Sequence, residues 1–139
     1  MDECIFCRIV KGEMPSFTIY EDETVLAFED INPVSAGHTL IVPKQHAQDL
    51  WEISDDDLAA IHLASKKIIH AIREALEPTG VACVQLNGPG VNQVVRHYHL
   101  HLIPRMAGTP ELPVSSWEIE PGDMASIRET ADRIAAAIR

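Results

Sequence analysis

The sequence is poor in basic and aromatic residues. It has 11 Lys and Arg against 21 Asp and Glu, a formal net charge of −10 over 139 residues, and only 5% of it is aromatic. Non-specific nucleic-acid binding and attachment to an anionic membrane both need a basic surface, which a chain of this charge lacks. We therefore expect neither nucleic acid nor membrane as a partner. A small anionic ligand stays compatible with this charge, because backbone N–H groups can bind it locally.

Long apolar runs are also missing, and cysteines are few. No run approaches the roughly 18 residues of a transmembrane helix. The acidic opening at residues 1–4 lacks the positive region of a signal peptide, so we expect a cytoplasmic protein. There are three cysteines, Cys4, Cys7 and Cys83. In such a compartment the Cys4-x-x-Cys7 spacing indicates a metal or redox pair before a structural disulfide.

The remaining composition is that of one globular domain, which we expect to span residues 1–139. Hydrophobic residues make up 46% and charged residues 23%. Apolar periodicity predicts helices at 3–11, 55–76 and 124–138 and strands at 17–21, 24–29, 38–43, 81–86 and 95–103. Ser54 and Asp57 predict the start of the long helix. This order predicts an α+β fold, a five-stranded antiparallel sheet with the long helix on one face plus short N-terminal and C-terminal helices.

The most informative segment is 96–104, in which His97, His99 and His101 alternate with Tyr98 and Leu100. On a strand, residues of period two share a face at about 6.6–6.8 Å intervals. Two chemistries fit such an array. Histidines at i and i+2 can chelate the zinc of a hydrolase, and a neutral imidazole can act as a nucleophile, for example on phosphorus. The outer two rings would lie about 13 Å apart, which is too far for all three to share one zinc on an unbent strand.

Segments along nearly the whole chain resemble those of one family. The triad at 97–103 has the pattern His-φ-His-φ-His-φ-φ, with φ apolar, and the segments at 4–13, 27–33 and 37–46 and the loop of Asn87, Gly88 and Gln93 match as well. The chain is therefore similar, over nearly its whole length, to the histidine triad (HIT) family, in its Hint-like or bacterial branch of nucleotide-binding hydrolases. The resemblance implies a homodimer with two purine-nucleotide sites.

The resemblance also implies a role for each site residue. His99 is expected to attack the α-phosphate and form a nucleotidyl-histidine intermediate, with His97 and His101 beside it. Gln93 and loop N–H groups would face the phosphate, and Asp30 would bind the ribose hydroxyls. No cofactor is needed for this chemistry. The rest of the nucleotide site would consist of the apolar residues Ile5, Phe6, Ile9, Phe28 and Ile31 around the base, together with Asn87.

A structural zinc is the second implication. Cys4-x-x-Cys7 supplies half of a tetrahedral site, and the resemblance to zinc-carrying bacterial members offers His46 and His97 as the other ligands. This assignment would take His97 out of the catalytic set. The alternative is a pair of reduced, buried thiols. Cys83 is expected in the core. The remaining histidines, His38, His62 and His70, are expected to be surface or packing residues.

The chain departs from the family pattern near the triad. Asn92 stands in the loop where Gly is usual, Val94 where many members have a hydroxyl, and Arg96 where an aromatic residue or proline is common. Asn tolerates positive φ, so we expect the turn to survive. Tyr98 is bulkier than the usual spacer. Trp117 has two interpretations, as a residue that reaches the partner's site or one that covers the core.

Three functions compete. The first is hydrolysis of a purine nucleoside 5′-phosphoramidate or related nucleotidyl conjugate at the α-phosphate. The second is dinucleoside polyphosphate hydrolysis, or nucleotidyl transfer to another acceptor, at the same site. The third is a non-catalytic, nucleotide-sensing dimer, to which Val94 and the altered loop give weight.

Overall fold

The computed structural model describes residues 3–113 and 118–139. Trp117 lies outside the described residues. The chain divides into two compact units, Met1–Thr109 and Pro110–Arg139. The single domain expected over residues 1–139 stays a prediction.

The first unit contains the five-stranded sheet. Its elements in chain order are α1 (Ile5–Val10), β1 (Thr18–Glu21), β2 (Val25–Glu29), β3 (Thr39–Pro43), α2 (Asp55–Leu76), β4 (Gly80–Val84) and β5 (Leu100–Arg105). The strand order is β1-β2-β3-β5-β4, and every neighbouring pair is antiparallel. With α3 in the second unit, this is the α+β fold that the sequence predicts.

The long helix α2 has the predicted boundaries. Ser54 caps it by accepting the N–H of Asp57 at 3.1 Å, an interaction usually worth about 1 kcal/mol. It ends at Leu76, and the C-cap residue Glu77 has a left-handed φ of 51°. Its buried stripe faces the sheet and consists of Ile61, Ala64, Ile68 and Ile72.

The two faces of the sheet carry separate apolar clusters, because side chains alternate along each strand. On the α2 side, Val25 and Ala27 of β2 pack with Ile41 of β3. On the other side, Leu26 and Phe28 pack with the α1 residue Phe6. Both faces of β2 and β3 are therefore covered, which explains why these strands are almost continuously apolar.

The strand predicted at 95–103 begins later than expected. Only residues from Leu100 onward form β5, so His101 alone of the triad lies in a regular strand. The backbone leaves the ladder because the N–H of Tyr98 donates to Ala47 O at 2.7 Å, outside the sheet. The side chains nevertheless continue to alternate, since Tyr98 and Leu100 pack on the α2 side. The prediction of a regular strand through His97 and His99 is wrong, and the cause is this contact with the segment after β3.

The prediction that Cys83 lies in the core is also wrong. Its strand β4 is the last in the sheet order, paired with β5 on one side. The thiol is exposed. A strand at the edge of a sheet can expose an apolar side chain that would be covered in a central strand.

The second unit contains α3 (Met124–Ala137), close to its predicted range. Asp123 caps it by accepting the N–H of Ser126 at 2.9 Å. None of its residues is buried. Among the described residues of the whole chain, no helix has the length and apolarity needed to cross a membrane.

Candidate active site and metal cluster

A cavity of about 560 Å³ opens on the side of the sheet opposite α2. Its floor comes from the sheet, since Phe28 and Leu40 line it, and one wall comes from α1. The structure brings most of the residues expected to bind a nucleotide to this lining, namely Ile5, Phe6, Ile9, Phe28, Asp30, Ile31, His99 and His101. Phe6 and Phe28 are almost fully buried, whereas the Ile31 side chain is 76% exposed at the rim.

His99 is held in one tautomer. Its Nδ1 lies 2.7 Å from the carbonyl oxygen of His97. A carbonyl only accepts, so Nδ1 carries the proton and the neutral ring keeps its lone pair on Nε2. Burial lowers the pKa of His99, while the hydrogen bond to the His97 carbonyl opposes this shift. Phe6 packs edge-on against the ring, with centroids 5.2 Å apart.

His101 is held by His38, a residue expected only to pack or to lie at the surface. The Val34 N–H donates to His38 Nδ1 at 3.0 Å, which leaves the proton of His38 on Nε2. That Nε2–H donates to His101 Nδ1 at 2.9 Å. His101 therefore carries its own proton on Nε2. His38 is only 4% exposed, so the structure places it in the site. Its place beside His101 follows from the pairing of β3 with β5, and the sequence alone carried no signal for that pairing.

Asp30 stands at the mouth of the cavity, after β2. One carboxylate oxygen accepts the N–H of Asn32 at 2.8 Å, and the other lies 3.7 Å from His38 Nε2. The hydrogen bond from Asn32 is local and fixes the orientation of the carboxylate. Within residues 3–113 and 118–139, no N–H lies at hydrogen-bond distance from the second oxygen.

Gln93 and Asn87 do not line the cavity. The buried Gln93 amide accepts the N–H of Gly88 at 2.7 Å and donates to Gln48 O at 2.7 Å. The Asn87 amide is paired with Gln85 and accepts the N–H of Leu50. Contact of either amide with a phosphate would require it to leave these partners, so both assignments stay predictions.

The loop between these residues turns as expected. Asn92 has a φ of 67°, in the left-handed region that asparagine tolerates better than most residues. It lines the cavity together with Val94, whose side chain is 80% exposed.

The four residues predicted to bind zinc form a compact cluster. One ligand atom each from Cys4, Cys7, His46 and His97 lies within 4.8 Å of all the others. His97 is fully buried, and its Nε2 donates to Pro43 O at 2.8 Å, which leaves Nδ1 with a lone pair directed to the cluster. Burial lowers the pKa of His97 to about 4, so the ring is neutral, as a metal ligand must be.

The distances in this cluster fit a tetrahedral zinc. His97 Nδ1 lies 3.4 Å from Cys4 Sγ and 3.1 Å from His46 Nδ1, and Cys7 Sγ lies 3.2 Å from His46 Nδ1. Zinc bonds of about 2.3 Å to sulfur and 2.0–2.1 Å to nitrogen separate tetrahedral ligand atoms by about 3.3–3.8 Å. Four donors of the preferred types, all within 4.8 Å of one another and in these pairs close to those separations, therefore suit zinc.

The family model of the HIT domain matches residues 11–108 of this chain. The chain belongs to the HIT family. It is 46% identical over 104 residues to "Protein hit" of Bacillus subtilis, covering 75% of this chain and 72% of that protein. It is 40% identical over 124 residues to "Adenosine 5'-monophosphoramidase hnt1" of Schizosaccharomyces pombe, covering 84% and 90%.

Solved structures are similar in fold. A HIT-family crystal structure from Bacillus subtilis superposes with a TM-score of 0.89 at 36% identity, covering 99% of this chain and 98% of that one. A structure from Mycobacterium smegmatis, described as a Zn-bound histidine triad family protein, has a TM-score of 0.74 at 33% identity and covers 99% of both chains.

Proposed function

We propose that this chain hydrolyses purine nucleoside 5′-phosphoramidates or related nucleotidyl conjugates at the α-phosphate. The observation that carries the proposal is the hydrogen bond from His99 Nδ1 to the His97 carbonyl, which reserves the Nε2 lone pair of a cavity-lining ring for attack. The name of the fission-yeast relative, an adenosine 5'-monophosphoramidase, supports the same substrate class.

The reaction proceeds in two displacements. His99 Nε2 attacks phosphorus, a new N–P bond forms, and the P–N bond to the leaving amine breaks, with the amine taking a proton from water. Water then attacks the nucleotidyl-histidine, breaks its N–P bond and releases the nucleoside monophosphate, while its spare proton goes to solvent. The Nε2–H of His101 donates to a phosphoryl oxygen and stabilises the charge that develops there.

The rest of the cavity would position the nucleoside. The base lies between the side chains of α1 and Phe28, whose apolar surfaces suit a flat ring. The free oxygen of Asp30 accepts a hydrogen bond from the ribose. These contacts hold the α-phosphate close to His99 and supply orientation rather than chemistry.

The charge of the cavity favours a phosphoramidate over a dinucleoside polyphosphate. Among the described residues, its lining includes the carboxylates Glu29 and Asp30 but no Lys or Arg. A nucleoside phosphoramidate carries about one negative charge, whereas polyphosphates carry several and usually need cationic side chains or metal ions to neutralise them. Polyphosphate hydrolysis and nucleotidyl transfer are therefore the weaker alternatives.

The test is single-turnover hydrolysis of adenosine 5′-phosphoramidate by the wild type, His99→Ala and the control His70→Ala, an exposed histidine of α2. Removal of the nucleophile should slow turnover by roughly a thousandfold or more, as removal of other catalytic nucleophiles does. The control should keep the wild-type rate. Equal rates for all three proteins would refute the role of His99. A parallel assay with diadenosine tetraphosphate tests the polyphosphate alternative.

A nucleotide-sensing dimer without turnover is the second candidate. Val94 favours it, because its exposed side chain borders the cavity and offers no hydrogen bond to a phosphate. The same experiment separates the two functions. Nucleotide binding without product, at enzyme in excess over substrate, would support the sensor and contradict the hydrolase.

We also propose that Cys4, Cys7, His46 and His97 hold a structural zinc. The ligand separations support it, as does the Zn-bound neighbour from Mycobacterium smegmatis. The zinc would cross-link α1 to the segments around His46 and His97 and take no part in the reaction, because the four protein ligands fill its tetrahedral sphere. The reduced thiols it needs accord with a cytoplasmic location.

A homodimer is the proposed assembly. In the described sheet β4 is an outermost strand with one unpaired edge, and sheet edges readily pair with a second copy across a two-fold axis. A molar mass measured by light scattering should be twice the 15.4 kDa of the chain. A monomeric mass at micromolar concentration would contradict this assembly.

A further inference from the structure

We propose that the metal cluster controls nucleotide binding, because the two elements it joins are the same elements that hold the base and orient His99. The inference rests on the proposed function only for the choice of nucleotide as ligand.

The first connection runs through His97. Its side chain faces the cluster, with Nδ1 3.4 Å from Cys4 Sγ and 3.1 Å from His46 Nδ1. Its own main-chain carbonyl accepts the hydrogen bond from His99 Nδ1. His97 is fully buried, and its ring faces the other three cluster residues. Its backbone carbonyl holds the reactive His99. Fixing the ring fixes the acceptor that determines the tautomer and direction of His99.

The second connection runs through α1. Cys4 is the N-cap of this helix, and Cys7 lies within it and donates its N–H to Cys4 Sγ. The residues between them, Ile5 and Phe6, line the cavity. Phe6 also packs edge-on against His97 and His99, at centroid distances of 5.9 and 5.2 Å. The wall that would touch the base is therefore enclosed between two ligands of the cluster.

This wall needs an anchor. At six residues, α1 is far shorter than the roughly 12–15 residues that an isolated helix needs to be even marginally stable. Without a metal, α1 is joined to these histidines by the packing of Phe6 on His97 and by thiol–imidazole contacts of 3.2–3.5 Å, which are weak hydrogen bonds. Two metal–thiolate bonds would replace them with far stronger links, and the cavity wall would be preorganised for the ligand.

The experiment compares zinc-loaded protein, protein stripped with a chelator, and stripped protein reloaded with zinc. AMP affinity is measured by calorimetry, and backbone hydrogen exchange is measured by mass spectrometry. We expect AMP to bind roughly tenfold more weakly to the stripped form, the size of effect typical of losing a positioning partner at a metal site. Exchange should accelerate in residues 4–11 and stay unchanged in α2, and reloading should restore both.

Two variants make the comparison specific. Cys7→Ser should lower zinc content and reproduce both changes without chelator, whereas His70→Ala, at an exposed histidine of α2 outside the cluster, should behave as the wild type. The α2 amides report whether each protein is still folded. If Cys7→Ser does not fold, the chelation series on the wild type decides the matter.

Each outcome bears on one of the two proposals. Equal AMP affinity and equal exchange in loaded and stripped protein would overturn the coupling. Failure to bind zinc at all would overturn it too. If neither form bound AMP but zinc still slowed exchange in residues 4–11, the proposed function would fail while the anchoring of α1 stood.

Discussion

The two faces of the sheet are built from the same strands but bury different kinds of side chain. On the α2 face, Ile41, Ile61 and Leu102 have no exposed surface, and the cluster around them is apolar. The cavity face carries Phe6 and Phe28 and also four histidines, three of which are less than 10% exposed, namely His38, His97 and His99, the fourth being His101. The first face lowers the free energy of the fold, and the second bears the cost of burying polar rings.

The cavity face meets that cost by giving every imidazole a defined partner. His97 donates to Pro43 O, His99 donates to His97 O, and His101 accepts from His38. Each hydrogen bond also determines which ring nitrogen carries the proton and which keeps its lone pair. The hydrogen bonds that offset the cost of burying the polar rings are therefore the same ones that fix the tautomers needed for the reaction. We expect substitutions on the two faces to separate stability from activity.

The largest stability effect should come from the α2 face. Ile61→Ala removes a side chain with no exposed surface and should lower the free energy of unfolding by about 2–5 kcal/mol. The AMP affinity of the folded fraction should not change. Leu63→Ala, on the same helix but 72% exposed, is the matched control and should cost little. Urea unfolding and calorimetry check the pair, and a large loss of affinity in Ile61→Ala would break the separation of the two faces.

The sequence was sufficient for elements whose signals are local. The helix α2 has its cap and its stripe within one stretch, from Ser54 to Ile72, and the strands β2 and β3 are almost continuously apolar. The start of β5 was not predictable in this way. It depends on the hydrogen bond from Tyr98 to Ala47, 51 positions earlier, which leaves no pattern in either segment.

The same limit applies to the site. The sequence singled out the His97–His101 array and the C-x-x-C pair, because spacing alone identifies them. It missed His38, whose place beside His101 depends on how β3 pairs with β5. It misplaced Cys83, because exposure depends on β4 being an edge strand in the described sheet. Sheet order is a property of the whole fold, so residues that depend on it require the structure.

The next effect concerns a positioning residue on the cavity face. His38→Leu keeps most of the volume but removes the N–H that fixes His101, and we expect turnover to fall by about 10–100-fold with AMP affinity nearly unchanged. His38→Gln returns an amide N–H to this region and should recover part of the rate. Single-turnover kinetics check both variants. If they were equally slow, His38 would serve packing alone.

The pH dependence of stability should show a smaller effect, whose direction follows from the pKa of His101. Burial first, then the neighbouring His99 and His38, lower the pKa of His101 from 6.5 to about 4, with Asp30 opposing. Between those pH values the unfolded chain binds more protons than the folded one, so stability should fall as pH drops from about 6.5 to 4 and level off below. His101→Gln should show a shallower fall in urea unfolding. Ile61→Ala should shift the whole curve down without changing its slope, and an unchanged slope in His101→Gln would contradict the assignment.

The smallest effect should come from the rim of the cavity, where Val94 replaces the hydroxyl common in the family. Its side chain is 80% exposed, so Val94→Ser should change stability by no more than about 0.5 kcal/mol. A new O–H donor to the phosphate is worth about 0.5–1.5 kcal/mol, which predicts a rate increase of roughly two- to tenfold if the bond strengthens in the transition state. Val94→Ala opens the same space without a donor and should keep the wild-type rate. Equal rates for the serine and alanine variants would contradict this prediction. They would mean that other groups of the cavity bind the phosphate and that Val94 does not lower the turnover rate.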